Sequence, residues 1–273
     1  MMRFPSFTAL SVALGVVLPT AALAIPESPA ASLIKEVDIV ENLNAEVPKD
    51  ARFTDSQGRQ VALADLLKGD KPVVLSLVYY QCPQLCSLVL NGLNKAARNS
   101  GLILGSDYRA VTISIDPRET PEMAKERQRG HLQALGTPDR KDDWSFLVGQ
   151  ESEIAKVAGT LGFKYRYDEQ TKQYAHAAAI MVLTPDGRVS RYLYGVEFPP
   201  RDLKFALLEA TGGRVGTSFD RVLLTCFKYD PNTRKYEFYI NGFLRGGALL
   251  VFGALATMLA VFWRREYKRG SIT

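Results

Sequence analysis

The stretch Val73-Val74-Leu75-Ser76-Leu77-Val78-Tyr79-Tyr80-Gln81-Cys82-Pro83-Gln84-Leu85-Cys86 decides the fold. Its first half is a short, apolar, β-prone run, as expected of a strand buried on both faces. Cys82 follows directly. Pro83 then suits the first position of a helix, where its missing N–H would have had no partner. Leu85, Leu88, Val89 and Leu93 fall on one helical face, which carries the helix to about Arg98. Strand, turn and helix start together place a thiol at the carboxyl end of a strand, where α/β proteins put their chemistry. Backbone N–H groups and the helix dipole at such a place favour the thiolate.

Working outward, Arg52-Phe53-Thr54 and Gln60-Val61-Ala62 flank Asp55-Ser56-Gln57-Gly58, a hairpin signal. Tyr108–Ile115 alternates and reads as a second strand. In Asp116-Pro117-Arg118-Glu119-Thr120-Pro121, Thr120 is a helix N-cap with proline at the first position, for a helix reaching Leu135. Trp144–Val148 reads as a strand and Ser152–Leu161 as a helix. Ala177–Leu183 and Val189–Leu193 bracket the turn Pro185-Asp186-Gly187, and Pro200–Ala210 reads as a last helix. Strands alternating with helices, closed by a hairpin and a helix, predict an α/β sandwich with a central mixed sheet over residues 51–212. The thioredoxin-like arrangement fits that order.

The ends of the chain carry separate signals. Residues 1–24 (MMRFPSFTALSVALGVVLPTAALA) have one charge, Arg3, then an apolar run ending in Ala22-Leu23-Ala24, which is the pattern of a cleavable signal peptide. Residues 25–50, with Pro26, Pro29 and Pro48, read as a linker or N-terminal arm. From Gly246 to Trp263 there is no charge, and Arg264, Arg265, Lys268 and Arg269 follow. This predicts a connector over 213–242, a transmembrane helix over 243–264 and a cytoplasmic tail over 265–273. The implied location is the bacterial inner membrane, with a single C-terminal span and the soluble domain in the periplasm. The net charge of +5 lies partly in that tail. No basic stripe with interleaved aromatics points to nucleic acid.

The cysteine pair admits several chemistries. Cys82 and Cys86 stand four apart, so on a helix both sulfurs lie over one edge of the first turn. Three intervening residues allow a disulfide and also leave room for an ion. Soft thiolates suit Cu(I), and an added imidazole also suits Cu(II). Structural zinc needs four closed ligands, more than are apparent. The chain has only two histidines. His176 precedes the strand that begins near Ala178, in a loop that faces the cysteine helix in a thioredoxin-like fold; no proline lies between Thr171 and Thr184 to take the place of the cis-proline found in thioredoxins. His131 sits mid-way along a polar helix, Arg127-Gln128-Arg129-Gly130-His131, and reads as a surface residue. On the residues alone, a structural disulfide, a redox couple and a copper site all stay open.

Taken together, Tyr79-Tyr80-Gln81-Cys82-Pro83-Gln84-Leu85-Cys86, then Ser114-Ile115-Asp116-Pro117-Arg118-Glu119-Thr120-Pro121, then His176 followed by Thr184-Pro185-Asp186-Gly187, resemble the Sco/SenC family of copper chaperones of cytochrome c oxidase assembly. The resemblance covers roughly residues 45–212. It implies a thioredoxin-like domain and a mononuclear copper site, as Cu(I) or Cu(II), made by Cys82, Cys86 and His176. Asp116 is a second-layer or docking residue on the same analogy, and a plain turn residue on a local reading. The implied partner is cytochrome c oxidase subunit II or another periplasmic copper acceptor. The chain departs from the family where many members have Thr-His before the first cysteine and Asp two residues after it. Here these are Tyr80, Gln81 and Gln84. Cys226, between domain and C-terminal helix, reads as structural rather than as a ligand. The expectation is a metallochaperone rather than an enzyme; the alternative is a thiol–disulfide oxidoreductase in which Cys82 attacks and Cys86 resolves.

Overall fold

The computed structural model describes residues 37–82, 85–212, 227–230, 233–238 and 240–270. The strand expected from the opening stretch is β3 (Val73–Val78), buried along its whole length. It pairs in parallel with β4 (Arg109–Ser114), from Val73 opposite Arg109 to Val78 opposite Ser114. On its other side β8 (Ala179–Leu183) runs antiparallel, from Val73 opposite Leu183 to Ser76 opposite Ile180. With β1 (Arg52–Asp55), β2 (Gln60–Ala62), β5 (Trp144–Val148) and β9 (Val189–Tyr194) these form one mixed sheet of order β2-β1-β5-β4-β3-β8-β9. The expected sandwich with a central mixed sheet is therefore present. Two of its buried polar residues, Ser76 and Thr112, satisfy each other at 2.9 Å, and Trp144 Nε1 donates to Thr112 Oγ1 at 2.9 Å.

The longer helices of the domain are α2 (Leu85–Ser100), α3 (Pro121–Leu135), which packs on β5 and β1, α4 (Glu151–Thr160) and α5 (Pro200–Ala210), which packs on β8 and β9, while α1 (Leu63–Leu66) is a single turn after β2. Helix α2 packs against α3 and α5. Helix α3 starts as the sequence foretells, with the Thr120 side chain accepting from Met123 N–H and proline in the first turn, and it stops at Gly136 in the left-handed region. Its inner face is more polar than a core helix normally shows, because Gln128 and His131 are buried along with Ala124 and Leu132. Gln128 is satisfied by Ser56 Oγ and by the carbonyls of Lys141 and Trp144.

Two hairpins lie outside the sequence expectation. The first, β6 (Tyr165–Asp168) and β7 (Gln173–His176), is a two-stranded sheet of its own with Tyr165 opposite His176. Its turn holds no glycine and instead places Lys172 at φ 55°, so the usual turn signal is missing. The second, β10 (Phe227–Asp230) and β11 (Lys235–Phe238), falls within the stretch expected as a connector. It packs on the domain: Tyr236 is buried 5.5 Å from the Phe205 ring of α5 and donates its hydroxyl to Glu209. Before β1, Ile39 and Val47 are also buried, joined to the domain through the bridges Ile39–Phe163 and Glu46–Arg188.

The C-terminal helix α6 spans Ile240–Gly270. Among the described residues no helix is long and apolar enough to cross a membrane. The transmembrane helix expected over 243–264 is thus not supported, and the inner-membrane location drawn from that single span falls with it. The uncharged run between Arg245 and Arg264 holds 18 residues. At about 1.5 Å per residue that is about 27 Å, against a hydrocarbon core of about 30 Å. Arg264, Arg265, Glu266, Lys268 and Arg269 crowd its end. Leu249, Phe252 and Trp263 on this helix are exposed, so it is not a core helix either. The expected signal peptide (1–24), the first part of the expected arm and Cys226 lie outside the described residues.

Candidate functional site

The cysteine loop leaves the sheet at the carboxyl end of β3. Cys82 closes a turn, its N–H donating to Tyr79 O at 3.3 Å, and its side chain is buried. The described helix begins at Leu85, so Cys82 precedes it and Cys86 stands in its first turn. Pro83 and Gln84 lie outside the described residues, and the Cys86 side chain is not described. Among the described residues no group of three metal-ligand side chains forms.

Two devices fix the chain ahead of Cys82. Tyr80 points back into the sheet, where its hydroxyl donates to Leu147 O at 2.8 Å and Thr112 O at 3.2 Å, and its ring packs on Phe146. Burial and the nearby Glu119 charge push this phenol well above its ordinary pKa, so it stays a donor. The Glu119 carboxylate accepts from Tyr80 N–H at 2.7 Å, Gln81 N–H at 2.6 Å and Ser114 Oγ at 2.5 Å. Burial raises the Glu119 pKa, with a smaller push from Asp116, against the lowering effect of those three bonds. Sequence reasoning passed over Glu119. Its only signal was a carboxylate directly before a helix N-cap, a place usually exposed.

His176 reaches the same end of the sheet from the other side. Because β8 runs antiparallel to β3, its start lies beside the end of β3. His176 is the last residue of β7, three positions before β8, and not a loop residue as expected. It is 7% exposed, between the Phe163 ring at 5.8 Å and the Tyr79 ring, met edge-on at 6.1 Å. Its Nδ1 lies 2.9 Å from Ala177 O. A carbonyl only accepts, so Nδ1 carries the proton and the neutral ring keeps its lone pair on Nε2. Burial lowers the His176 pKa, opposed by the Ala177 bond and, more weakly, by the attraction of Cys82 in its thiolate form. The contact that joins His176 to the cysteine segment is the Tyr79 ring, three residues ahead of Cys82.

Asp116 is buried and wholly engaged with Arg118, accepting from its N–H at 2.9 Å, Nε at 2.8 Å and Nη2 at 2.8 Å. The two acids near the site are thus occupied, Asp116 by Arg118 and Glu119 by loop amides. What remains for an ion is sulfur and imidazole, a soft to borderline donor set that fits copper better than a hard cation. His131, expected at the surface, is buried instead. Its ring stacks on Phe146 at 6.0 Å, and Asn94 Nδ2 lies 3.1 Å from its Nδ1. The polar neighbours Arg127 and Arg129 masked the fact that every third or fourth position of α3 turns inward.

The SCO1/SenC family profile matches residues 41–209. The chain belongs to the SCO1/SenC family. A SCO1 protein homolog of Bacillus subtilis (strain 168) is 28% identical over 171 residues, which are 60% of this chain and 81% of the relative. A putative electron transfer protein of Aquifex aeolicus VF5, known as a crystal structure, is 28% identical with a TM-score of 0.55, covering 63% of this chain and 96% of its own. ScoI of Bradyrhizobium japonicum, solved with copper bound, is 23% identical with a TM-score of 0.45, covering 63% of this chain and 99% of its own. Within the family pattern, the departure at Tyr80 now has a structural account. Its side chain is spent on anchoring the loop to β4 and β5, while the loop amides are held through the backbone, whatever side chains they carry.

Proposed function

We propose that this protein is a copper metallochaperone in which Cys82, Cys86 and His176 hold one copper ion as cargo. The observation that carries the reading is the placement of His176, its proton held on Nδ1 by Ala177 O, against the Tyr79 ring of the segment that leads from β3 to Cys82. Each thiol gives its proton to solvent when the ion binds, and the imidazole enters as a neutral donor. Burial, which disfavours the imidazolium, keeps that donor ready. Delivery is by ligand exchange, with an acceptor's thiols replacing this chain's donors one at a time. The acceptor fitting the family is cytochrome c oxidase subunit II, or another protein building a copper centre of the same kind.

A second reading, thiol–disulfide exchange by Cys82 and Cys86, is favoured by one observation: Cys82 sits ahead of a helix whose first turn carries Cys86. The two readings make opposite demands on His176. The test is a titration of the reduced chain with Cu(I) against a competing chelator, beside Cys82→Ala, Cys86→Ala and His176→Ala. One copper per chain, lost or greatly weakened in all three variants, supports the chaperone. Binding that is absent or indifferent to His176 overturns it and leaves the redox pair.

A further inference from the structure

The turn Asp116-Pro117-Arg118-Glu119 touches both the loop ahead of Cys82 and the hairpin that ends in His176. We propose that it is a bracket, with Glu119 and Arg118 as positioning residues that together set how far the Cys82 thiol stands from the His176 imidazole. The proposal rests on the copper reading above.

One arm is Glu119. Its carboxylate is tied to β4 through Ser114 Oγ at 2.5 Å, and it holds both amides ahead of Cys82, Tyr80 N–H at 2.7 Å and Gln81 N–H at 2.6 Å. Two donors in succession on one carboxylate allow the loop a single orientation. A glutamine could not replace it, because its amide nitrogen would face an N–H donor.

The other arm is Arg118. Asp116 grips its guanidinium through Nε and Nη2, and proline at 117 restricts the backbone between them. The guanidinium carbon lies 4.6 Å from the Tyr167 ring centre and 5.8 Å from that of Tyr174, and Nη1 donates to the Tyr167 hydroxyl at 3.3 Å. Tyr174 packs on Tyr79 at 5.6 Å, and Tyr79 meets His176 at 6.1 Å. This matters because the β6–β7 hairpin that carries His176 has no strand pairing with the main sheet. Its place is set by side-chain contacts, of which a planar cation over two tyrosines is one. The bracket also gives Asp116 its work: it aligns Arg118.

The test uses the reduced full-length chain, with Cu(I) competition on wild type, Arg118→Ala, Glu119→Gln and Val157→Ala. The last is a buried change on α4 that controls for general loss of stability. Removing either arm should weaken Cu(I) binding by about tenfold or more, while Val157→Ala leaves it unchanged. In a His176→Ala background, Arg118→Ala should have no further effect, whereas Glu119→Gln should keep its own. Independently of copper, hydrogen exchange at the Tyr80 and Gln81 amides should speed up by about tenfold or more in Glu119→Gln and not in Val157→Ala. Wild-type affinity in both arm variants, or unchanged exchange at those two amides, overturns the bracket. If wild type binds no copper, the copper reading fails, and the exchange measurement alone decides the bracket.

Discussion

Protonation of His131 should cost this fold a measurable part of its stability. The imidazole is buried against Trp144 and Phe146, and Asn94 Nδ2 donates to its Nδ1 at 3.1 Å. Burial, with a smaller contribution from Arg127, lowers its pKa from 6.5 to about 4. An unfolded chain takes up the proton near the ordinary value of about 6.5. Between the two values the unfolded state therefore binds more protons than the folded one. Stability is full above the unfolded pKa and falls as the pH drops toward the folded value. At about 1.4 kcal/mol per unit, the His131 share of the loss is about 2 kcal/mol on going from about pH 7 to about pH 5, and about 3 kcal/mol near pH 4. The assay is urea unfolding at a series of pH values on wild type and His131→Gln, which stays neutral and still offers Asn94 an acceptor. The variant should start less stable and lose about 2 kcal/mol less by about pH 5. Parallel pH profiles for the two proteins would refute a buried, neutral His131.

Three further outcomes follow from the packing. Tyr80→Phe removes the hydroxyl that reaches Leu147 O and Thr112 O, so urea unfolding should show a loss of about 1–2 kcal/mol with copper stoichiometry unchanged; no loss would mean the hydroxyl anchors nothing. Gly92→Ala puts a methyl 2.0 Å from Val196 O, so it should lower the melting temperature despite the gain of about 1 kcal/mol in helix propensity, and a rise would mean α2 is not pressed against that carbonyl. Tyr236→Ala breaks the contacts to Phe205 and Glu209, so amide exchange should quicken across β10 and β11 and hold in β3 and β4; equal quickening in all four strands would make the hairpin part of the central core.

Much of this was legible in the residues. Buried central strands reveal themselves as continuous apolar runs, which is why Val73–Val78 and Tyr108–Ile115 lead to β3 and β4. Thr120-Pro121 and Pro185-Asp186-Gly187 announce a helix start and a turn because their backbone chemistry is local. The three motifs in register were enough for the family, and they named Cys82, Cys86, His176 and Asp116 as candidates. Other features needed the folded chain. A hairpin whose turn uses Lys172 gives no glycine signal, so the strand that carries His176 was read as loop. His131 looked exposed because its neighbours in sequence are charged, yet its side of α3 faces Trp144 and Phe146. An uncharged C-terminal run looked like a span, yet among the described residues no helix is long and apolar enough to cross a membrane. Glu119 and Arg118 were invisible for the same underlying reason. Sequence records what a residue is and what stands beside it along the chain. Which loop amides a carboxylate will hold, or which tyrosines a guanidinium will cover, is decided by segments that the fold brings together, 38 positions apart for Gln81 and Glu119 and 49 for Arg118 and Tyr167.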